Sequence, residues 1–313
     1  MGRHYFCVIF SLIACVTFAQ NTNKKYEKYI RKYDVSNLLQ KSNGTPEEFW
    51  QQLESGHEGL TDYNKALACN QKLALKADAD ILQAMALLKT QYNERLQKVS
   101  SEKSDGLANQ IALAVMGVNG ERIRVHFIQG NQPNAFCTPG GDIYIYTALA
   151  QKLMGDWPMI YGVCAHEAAH YYLKHSARQK WADYRRQKKN KIIAGVALGV
   201  SAAALTATSV GVGGSYSPNI AGNVIDMCSD VLAISTLDSN LYHFKYSREE
   251  ELEADIIAYR FLEFVGVDPV NYIRALETLG TESDAFFNKW SDHPTIAFRT
   301  DFLTYLGEKY PMK

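Results

Sequence analysis

Two histidines and a glutamate, His166, Glu167 and His170, stand in the pattern His-Glu-x-x-His. On a helix, residues four apart lie on one face about one turn apart, so the two imidazoles can converge on a single point. Two converging imidazoles suit a tetrahedral zinc ion, and a glutamate beside the first of them can take a proton from water held by that metal. The pattern therefore predicts a hydrolytic zinc site with Glu167 as the general base.

A catalytic zinc site needs a third protein ligand and one open position. The places three and six residues after His170 hold Leu173 and Ser176, which excludes the pattern with glycine and a third histidine at those places. His175 falls off the ligand face, so we expect it either beside a ligand or at the surface. A carboxylate from a later helix remains as the third ligand.

The segment Ser247–Leu262 predicts that later helix, because it opens with a serine cap and an acidic first turn. Glu251 lies on a stripe of small and apolar residues, and a carboxylate facing the core is costly unless a cation neutralises it. Asp255, one turn later, could bind the far nitrogen of a ligating histidine. Periodicity separates Glu251 from its neighbour Glu250 only weakly. The glutamates expected to face solvent are Glu249, Glu250 and Glu253.

Together these motifs resemble the zinc metallopeptidases of the HtpX and CAAX prenyl-protease type, especially small envelope members of the BepA and Oma kinds. The resemblance runs from about Ile123 to Arg299 and rests on four ordered motifs: Asn134-Ala-Phe-x-x-Pro-Gly-Gly141, His166-Glu-x-x-His170, Ser247-Arg-x-x-Glu251-x-x-Ala-Asp255 and Asp292-His-Pro-x-x-x-x-Arg299. It implies one zinc ion per chain with Glu167 as the general base, and it favours Glu251 over Glu250. The implied zinc ligands are His166, His170 and Glu251.

The same resemblance implies roles for the first and last motifs. His293 matches a histidine that lies near the metal in such enzymes, where it stabilises the oxyanion or occupies the open metal position. From chemistry alone, a structural loop histidine is equally compatible with His293. Arg299 belongs to the same motif and, with Asp255, is expected to surround the ligands. The first motif matches an edge strand, along which a substrate chain would pair through its backbone. Its residues are Asn134, Ala135 and Phe136.

The elements that position these residues can also be predicted. Alternating apolar residues over 122–128 and 142–146 predict two short strands. Asp156 as a cap and Pro158 in the first turn mark the start of a long helix that carries the His-Glu-x-x-His motif and is expected to reach about Lys180.

We therefore expect an α+β fold that is mainly α-helical, with a small sheet beside the metal-binding helix. The resemblance makes this a zincin-like fold of the gluzincin type. Polar helical patterns fill residues 20–110, which we assign to an N-terminal helical region, and residues 111–313 form the metallopeptidase domain.

The first residues predict an export signal. Arg3 precedes an apolar run over 5–18, and small residues end it at Ala19, so residues 1–19 are expected to be removed by signal peptidase. The alternative is a lipoprotein signal, because Leu-Ile-Ala-Cys15 resembles a lipobox that would leave a lipidated Cys15 at the membrane. Either interpretation predicts export to the periplasm or cell envelope, with a membrane anchor in the second case.

Residues 192–212 are long and apolar enough to be taken for a transmembrane helix. A single crossing, however, would put the two ligand-bearing helices on opposite sides of the membrane. The basic stretch at 178–191 would also lie outside, against the usual charge bias. We favour a buried or membrane-surface helix, and a membrane-spanning or re-entrant segment remains the alternative.

The composition narrows the range of partners. The 313 residues include 33 Lys and Arg against 33 Asp and Glu, which leaves no basic field for sequence-independent nucleic-acid binding. Apolar residues form 47% of the chain, which excludes a disordered protein.

Outside the export signal the cysteines form no Cys-x-x-Cys pair, so no cysteine zinc site is expected. Oxidised pairs and buried free thiols both remain open. These cysteines are Cys69, Cys137, Cys164 and Cys228.

We therefore predict a zinc-dependent endopeptidase that hydrolyses peptide bonds in envelope proteins, with unfolded or misassembled proteins as its substrates and quality control as its role. A chaperone or assembly factor on the same fold with little turnover is the alternative, and a metal hydrolase acting on a non-peptide amide is a third hypothesis. The first 110 residues match no motif of the family, and the extra membrane spans and tetratricopeptide tail of some relatives are absent from the pattern. The substrates of those relatives are therefore not transferred to this chain.

Overall fold

The structure is a computed structural model, and the residues that it describes are 22–39, 43–57, 68–76, 79, 102–116, 122–129, 133–153, 156–179, 181–182, 185, 246–287 and 294–312. Three of the predicted features lie outside these residues: the export signal over 1–19, the apolar segment 192–212 and His293. Within the described residues, no helix combines the length and apolarity that crossing a membrane requires.

The main elements are helical, and a small sheet lies between the second and third helices. In chain order they are α1 (Pro46–His57), α2 (Glu102–Met116), β1 (Arg124–Ile128), β2 (Ala135–Cys137), β3 (Asp142–Tyr146), α3 (Thr147–Lys152), α4 (Trp157–Tyr172), α5 (Arg248–Phe264), α6 (Val270–Phe287) and α7 (Ile296–Lys309). Residues 22–33, 68–76 and 175–179 are helical as well. The mainly helical α+β architecture predicted from the sequence is confirmed.

The sheet has the strand order β1-β3-β2, with β1 parallel and β2 antiparallel to the central strand β3. Phe136 lies opposite Tyr144 in the β2–β3 register. The turn between these two strands requires a glycine, since Gly141 has a φ of 87° and a Cβ there would collide with the carbonyl oxygen of Arg122. Among the described elements β2 is therefore an edge strand, held in register by a tight turn.

Helix α4 lies at the centre of the core and packs on β2, α5 and α6. Its start follows the predicted signals, because the Asp156 side chain accepts a hydrogen bond from the Met159 backbone N–H and a proline stands in the first turn. Gly162 lets α6 approach closely, since a Cβ there would lie 2.7 Å from Cβ of Tyr272. The thiols of Cys137 and Cys164 at the β2–α4 side of the core are buried and free.

The α4 helix ends earlier than the sequence predicts. Leu173 caps it, and Lys174 takes a left-handed conformation with a φ of 55°, after which a new helical turn begins at residue 175. The expected continuation to Lys180 is therefore wrong. Left-handed backbone is usually signalled by glycine or asparagine, and a lysine gives no such signal. Here the buried Lys174 ammonium lies 4.0 Å from the centre of the Tyr171 ring, so a cation–π contact holds the turn.

Residues 22–39 pack against the helices that follow the sheet. Asp34 accepts two hydrogen bonds from the fully buried guanidinium of Arg260, each at 2.9 Å. Tyr26 packs with its ring centre 5.5 Å from that of Phe302 on α7. This bidentate ion pair and the aromatic contact fasten the start of the described chain to α5 and α7.

Candidate active site

Three side chains from two helices converge on one point in the core. His166 and His170 come from α4 and Glu251 comes from α5, and one ligand atom of each lies within 4.8 Å of the other two. The two Nε2 atoms are 3.1 Å apart. The Glu251 carboxylate oxygens lie 3.6 Å from Nε2 of His166 and 3.7 Å from Nε2 of His170. All three side chains are buried. This geometry brings together the three residues that the sequence predicts as metal ligands.

The chemistry of this donor set fits a metal ion of the zinc type. Two imidazole nitrogens and one carboxylate are a ligand set of catalytic zinc, and burying them without a cation would be costly. Burial lowers the pKa of His170, so its ring stays neutral with a lone pair free to bind a metal. Burial also disfavours a charged His166, but Asp255 and Glu251 outweigh it and raise the pKa of His166. The carboxylates thus favour a positive charge at this point.

Asp255 and Arg299 lie next to the predicted metal ligands. Nδ1 of His166 lies 3.0 Å from Oδ1 of Asp255, a close contact that is not aligned as a hydrogen bond. Arg299 donates to both Asp255 oxygens, at 2.8 and 2.6 Å, and also approaches Glu251 to 3.7 Å. Burial alone would raise the pKa of Asp255, but Arg299 and His166 lower it to about 2. Asp255 is therefore a fixed negative charge behind the first histidine ligand.

Tyr272 completes this group, and the sequence did not point to it. Its hydroxyl donates to Oδ1 of Asp255 at 2.6 Å and accepts from Arg299 at 3.0 Å. Its place in the site depends on the close approach of α4 and α6 at Gly162, and a single sequence does not show which helices approach each other.

Glu167 is buried beside the ligands and next to the sheet. Burial raises the pKa of its carboxyl group to about 7, with the positive His166 opposing this effect and the negative Glu251 adding to it. The backbone of Cys137 lies close to this carboxylate and weakly opposes the rise in its pKa. A carboxyl group with a pKa near neutrality can both accept and return a proton.

The Cys137 contact follows from the pairing of β2. The N–H of Thr138 donates to the Asp142 carbonyl at 2.8 Å, and the N–H of Tyr146 donates to the Asn134 carbonyl at 3.0 Å. Because hydrogen-bonded pairs alternate along an antiparallel ladder, the backbone groups of Ala135 and Cys137 point away from β3. The Ala135 N–H meets the Asn134 side-chain oxygen at 2.9 Å. The outer side of β2 thus runs past Glu167.

A second group of side chains lies behind His170. Nδ1 of His175 is 2.7 Å from Nδ1 of His170, and the other ring nitrogen of His175 is 3.2 Å from Oε2 of Glu253. Arg178 donates to the same Glu253 oxygen at 3.1 Å. The Tyr246 ring stacks on His170 with centres 3.8 Å apart. The structure therefore places His175 beside His170, a predicted metal ligand, which is one of the two positions expected for it.

The expectation that Glu253 faces solvent is wrong, because only 7% of this residue is exposed. Its carboxylate is covered by the helical turn that begins after Lys174 and carries His175 and Arg178. The other two glutamates follow the prediction more closely. Glu249 forms an exposed ion pair with Lys32 at 2.6 Å, and Glu250 accepts from the Ser247 backbone N–H in a capping box.

A mainly helical fold with a small sheet, a His-Glu-x-x-His helix and a buried glutamate from a second helix together define a metallopeptidase of the gluzincin type. Residues 94–306, more than half of the chain, match the model of peptidase family M48, and the chain belongs to this family.

Two relatives agree with this assignment. The mitochondrial metalloendopeptidase OMA1 of Schizosaccharomyces pombe is 33% identical over 67 residues, which cover 21% of this chain and 20% of that protein. The metalloprotease YcaL of Escherichia coli strain K12 is 25% identical over 245 residues, which cover 78% of this chain and 80% of that protein. The match to the yeast protein thus spans about a fifth of its length, whereas the bacterial match spans most of both chains.

Proposed function

We propose that this protein is a zinc-dependent endopeptidase that acts in a cell envelope on unfolded or misassembled proteins, as part of protein quality control. The observation that carries the proposal is that the metal-ligand group, Glu167 and the edge strand β2 lie next to one another. The metal-ligand group lies beside Glu167, and the Glu167 carboxylate lies next to the Cys137 backbone on the outer side of strand β2.

Zinc is the metal that this donor set favours, held by His166, His170 and Glu251, one ion per chain. When bound there, zinc supplies the Lewis acidity that makes water acidic enough to lose a proton near neutral pH. Glu167 accepts that proton at its carboxylate and returns it to the amine that leaves from the cleaved peptide bond. Arg299 holds the Asp255 carboxylate in place, and Asp255 in turn keeps the His166 ring in position. His293 could add a donor for the oxyanion, as the family resemblance implies, although it lies outside the described residues.

The proposed substrate lies in an extended conformation along β2. The outward-facing backbone of Ala135 and Cys137 offers carbonyl acceptors for a peptide strand. The Ala135 N–H adds a donor when the peptide replaces its Asn134 side-chain partner, and such pairing reads backbone rather than sequence. Asn134 precedes these two residues and Phe136 lies between them, and both belong to the proposed binding segment. Backbone recognition requires an unfolded stretch of chain, which supports misfolded or misassembled proteins as the substrate class.

The envelope location rests on the export signal predicted over residues 1–19, or on lipidation at Cys15 as its alternative. Association with the membrane surface through residues 192–212 is a further part of this proposal. The relative OMA1 is named as a mitochondrial protein, that is, a protein of a membrane-bounded compartment in its own organism.

A cleavage assay with an unfolded fluorescent protein substrate tests the proposal. Wild type is expected to cleave it, with activity lost on chelation and restored by zinc. Glu167→Gln is expected to keep zinc and lose cleavage, because the amide cannot accept the proton. Full activity in that variant would overturn the proposal. Binding of unfolded protein by wild type without any cleavage would instead support the chaperone alternative.

A further inference from the structure

We infer that His175 is a positioning residue for the metal site: with Glu253 behind it, His175 holds His170 in the tautomer whose Nε2 lone pair faces the metal. The inference rests on the proposed binding of zinc by His166, His170 and Glu251, and it adds a chain of hydrogen bonds that reaches from the metal ligand to Arg178.

The first step is the placement of protons. A His170 ring that binds a metal through Nε2 has no proton there, so the neutral ring carries its proton on Nδ1. That proton points at Nδ1 of His175, 2.7 Å away, which must then act as the acceptor. His175 in turn carries its own proton on Nε2 and donates it to Oε2 of Glu253 at 3.2 Å. Each nitrogen of the two rings thus has one defined role.

The second step is the end of the chain. Glu253 can only accept when ionised, and Arg178 donates to its Oε2 at 3.1 Å. Because His175 is 0% exposed and Glu253 is 7% exposed, the contact between these two side chains is shielded from water. The carboxylate therefore sets the His175 tautomer, and His175 sets that of His170.

The third step is the backbone that makes this possible. On an uninterrupted helix, a residue five places after His170 would point about 140° away around the axis. The left-handed turn at Lys174 breaks the helix, and His175 is brought back beneath the His170 ring. The helix break at Lys174, which the periodic pattern of the sequence does not reveal, therefore creates the contact between His175 and His170.

The two histidine ligands are consequently supported in different ways. His166 has a carboxylate, Asp255, directly at its Nδ1, whereas His170 reaches the Glu253 carboxylate through the His175 ring. Outer partners of this kind orient metal-binding imidazoles and raise their affinity for the ion.

The test measures the zinc dissociation constant by competition with a chelator. His175→Phe keeps a ring of similar size but offers no acceptor, and it is expected to weaken zinc binding by about 10- to 100-fold. His175→Asn presents an amide oxygen close to the position of Nδ1 and is expected to recover part of that loss. His126→Phe is the matched control, because His126 bonds to Asp142 on the sheet, and its zinc affinity should equal that of wild type.

A second measurement needs no variant that could misfold. In metal-free wild type labelled with ¹⁵N at histidine, long-range ¹H–¹⁵N spectra are expected to show the His170 proton on Nδ1, with His175 protonated on Nε2. A proton on Nε2 of His170, or unchanged zinc affinity in a folded His175→Phe, would overturn the inference. Zinc binding that persists after His166→Ala would contradict the proposed metal site itself, which separates the two failures.

Discussion

The carboxylate of Glu167 lies next to the backbone of Cys137, so the residue proposed as the general base faces the outer side of the edge strand of the sheet. The ladder alternation turns the backbone groups of Cys137 outward from β3, toward Glu167. The proposed catalytic group and the proposed substrate-pairing strand would therefore form one structural unit, and a peptide that pairs with β2 would be brought to Glu167 by the pairing itself.

Replacing Ala135 by proline tests that unit. The Ala135 N–H points away from β3 and donates to the Asn134 side-chain oxygen, which a paired substrate strand would have to replace. Proline at this edge position therefore removes an outward donor without breaking a ladder bond to β3. We expect kcat/KM for an unfolded substrate to fall by about three- to tenfold, the worth of roughly one hydrogen bond, with zinc content unchanged.

Phe136→Pro is the matched comparison, because Phe136 lies opposite Tyr144 in the hydrogen-bonded part of the ladder. It should lower the melting temperature markedly, whereas Ala135→Pro should not. Unchanged kcat/KM in a folded Ala135→Pro protein would argue against substrate pairing along β2.

Asp255→Asn tests the charge behind His166. The Arg299 guanidinium would stay buried with no full negative charge on the side facing Asp255, and breaking a buried ion pair costs about 3–5 kcal/mol. Urea denaturation should show a loss of this size. Arg274→Ala removes a partner from a mostly exposed pair, 3.8 Å from Asp156, and is expected to cost at most about 1 kcal/mol. Equal losses of unfolding free energy in the two variants would show that the Asp255–Arg299 pair stabilises the fold no more than an exposed ion pair does.

Gly162→Ala tests the close approach of α4 and α6. The added Cβ would lie 2.7 Å from Cβ of Tyr272 and 3.0 Å from its Cα, so the helices must separate at a cost of about 1–3 kcal/mol. Tyr272 also bonds to Asp255, and weaker zinc binding should accompany the lost stability. Both effects can be followed in one thermal unfolding series with and without zinc.

Gly106→Ala is the control for this substitution, since a Cβ at Gly106 in α2 would meet nothing within 4 Å. An alanine there should stabilise the helix by up to about 1 kcal/mol. A neutral or stabilising Gly162→Ala would mean that α6 does not pack on α4 as closely as the structure has it.

The sequence predicted those parts of the site that local spacing determines. His166 and His170 share a face because they are four residues apart on a helix, and the caps at Asp156 and Ser247 mark where the two ligand-bearing helices begin. The choice of Glu251 over its neighbours depended on a family resemblance. All faces of α5 near that point are buried, so the periodicity of apolar residues could not distinguish an inward-facing glutamate from its neighbours.

The remaining parts of the site depend on contacts between distant segments. His175 and Glu253 are 78 residues apart and meet only because Lys174, a residue type that rarely adopts positive φ, breaks the helix. Tyr272 reaches Asp255 from a third helix across a glycine. Neither contact leaves a periodic signal in the chain, and both were found only from the folded structure.

The central claim is that Glu251 completes a zinc site with His166 and His170, and the metal content of two adjacent variants tests it most directly. Purified wild type and Glu250→Gln are expected to hold one zinc ion per chain after dialysis, because Glu250 caps a helix and lies outside the ligand group. Glu251→Gln is expected to lose the ion, since the amide is a far weaker ligand than the carboxylate. Equal zinc in Glu251→Gln and wild type, or loss of zinc in Glu250→Gln alone, would contradict the account.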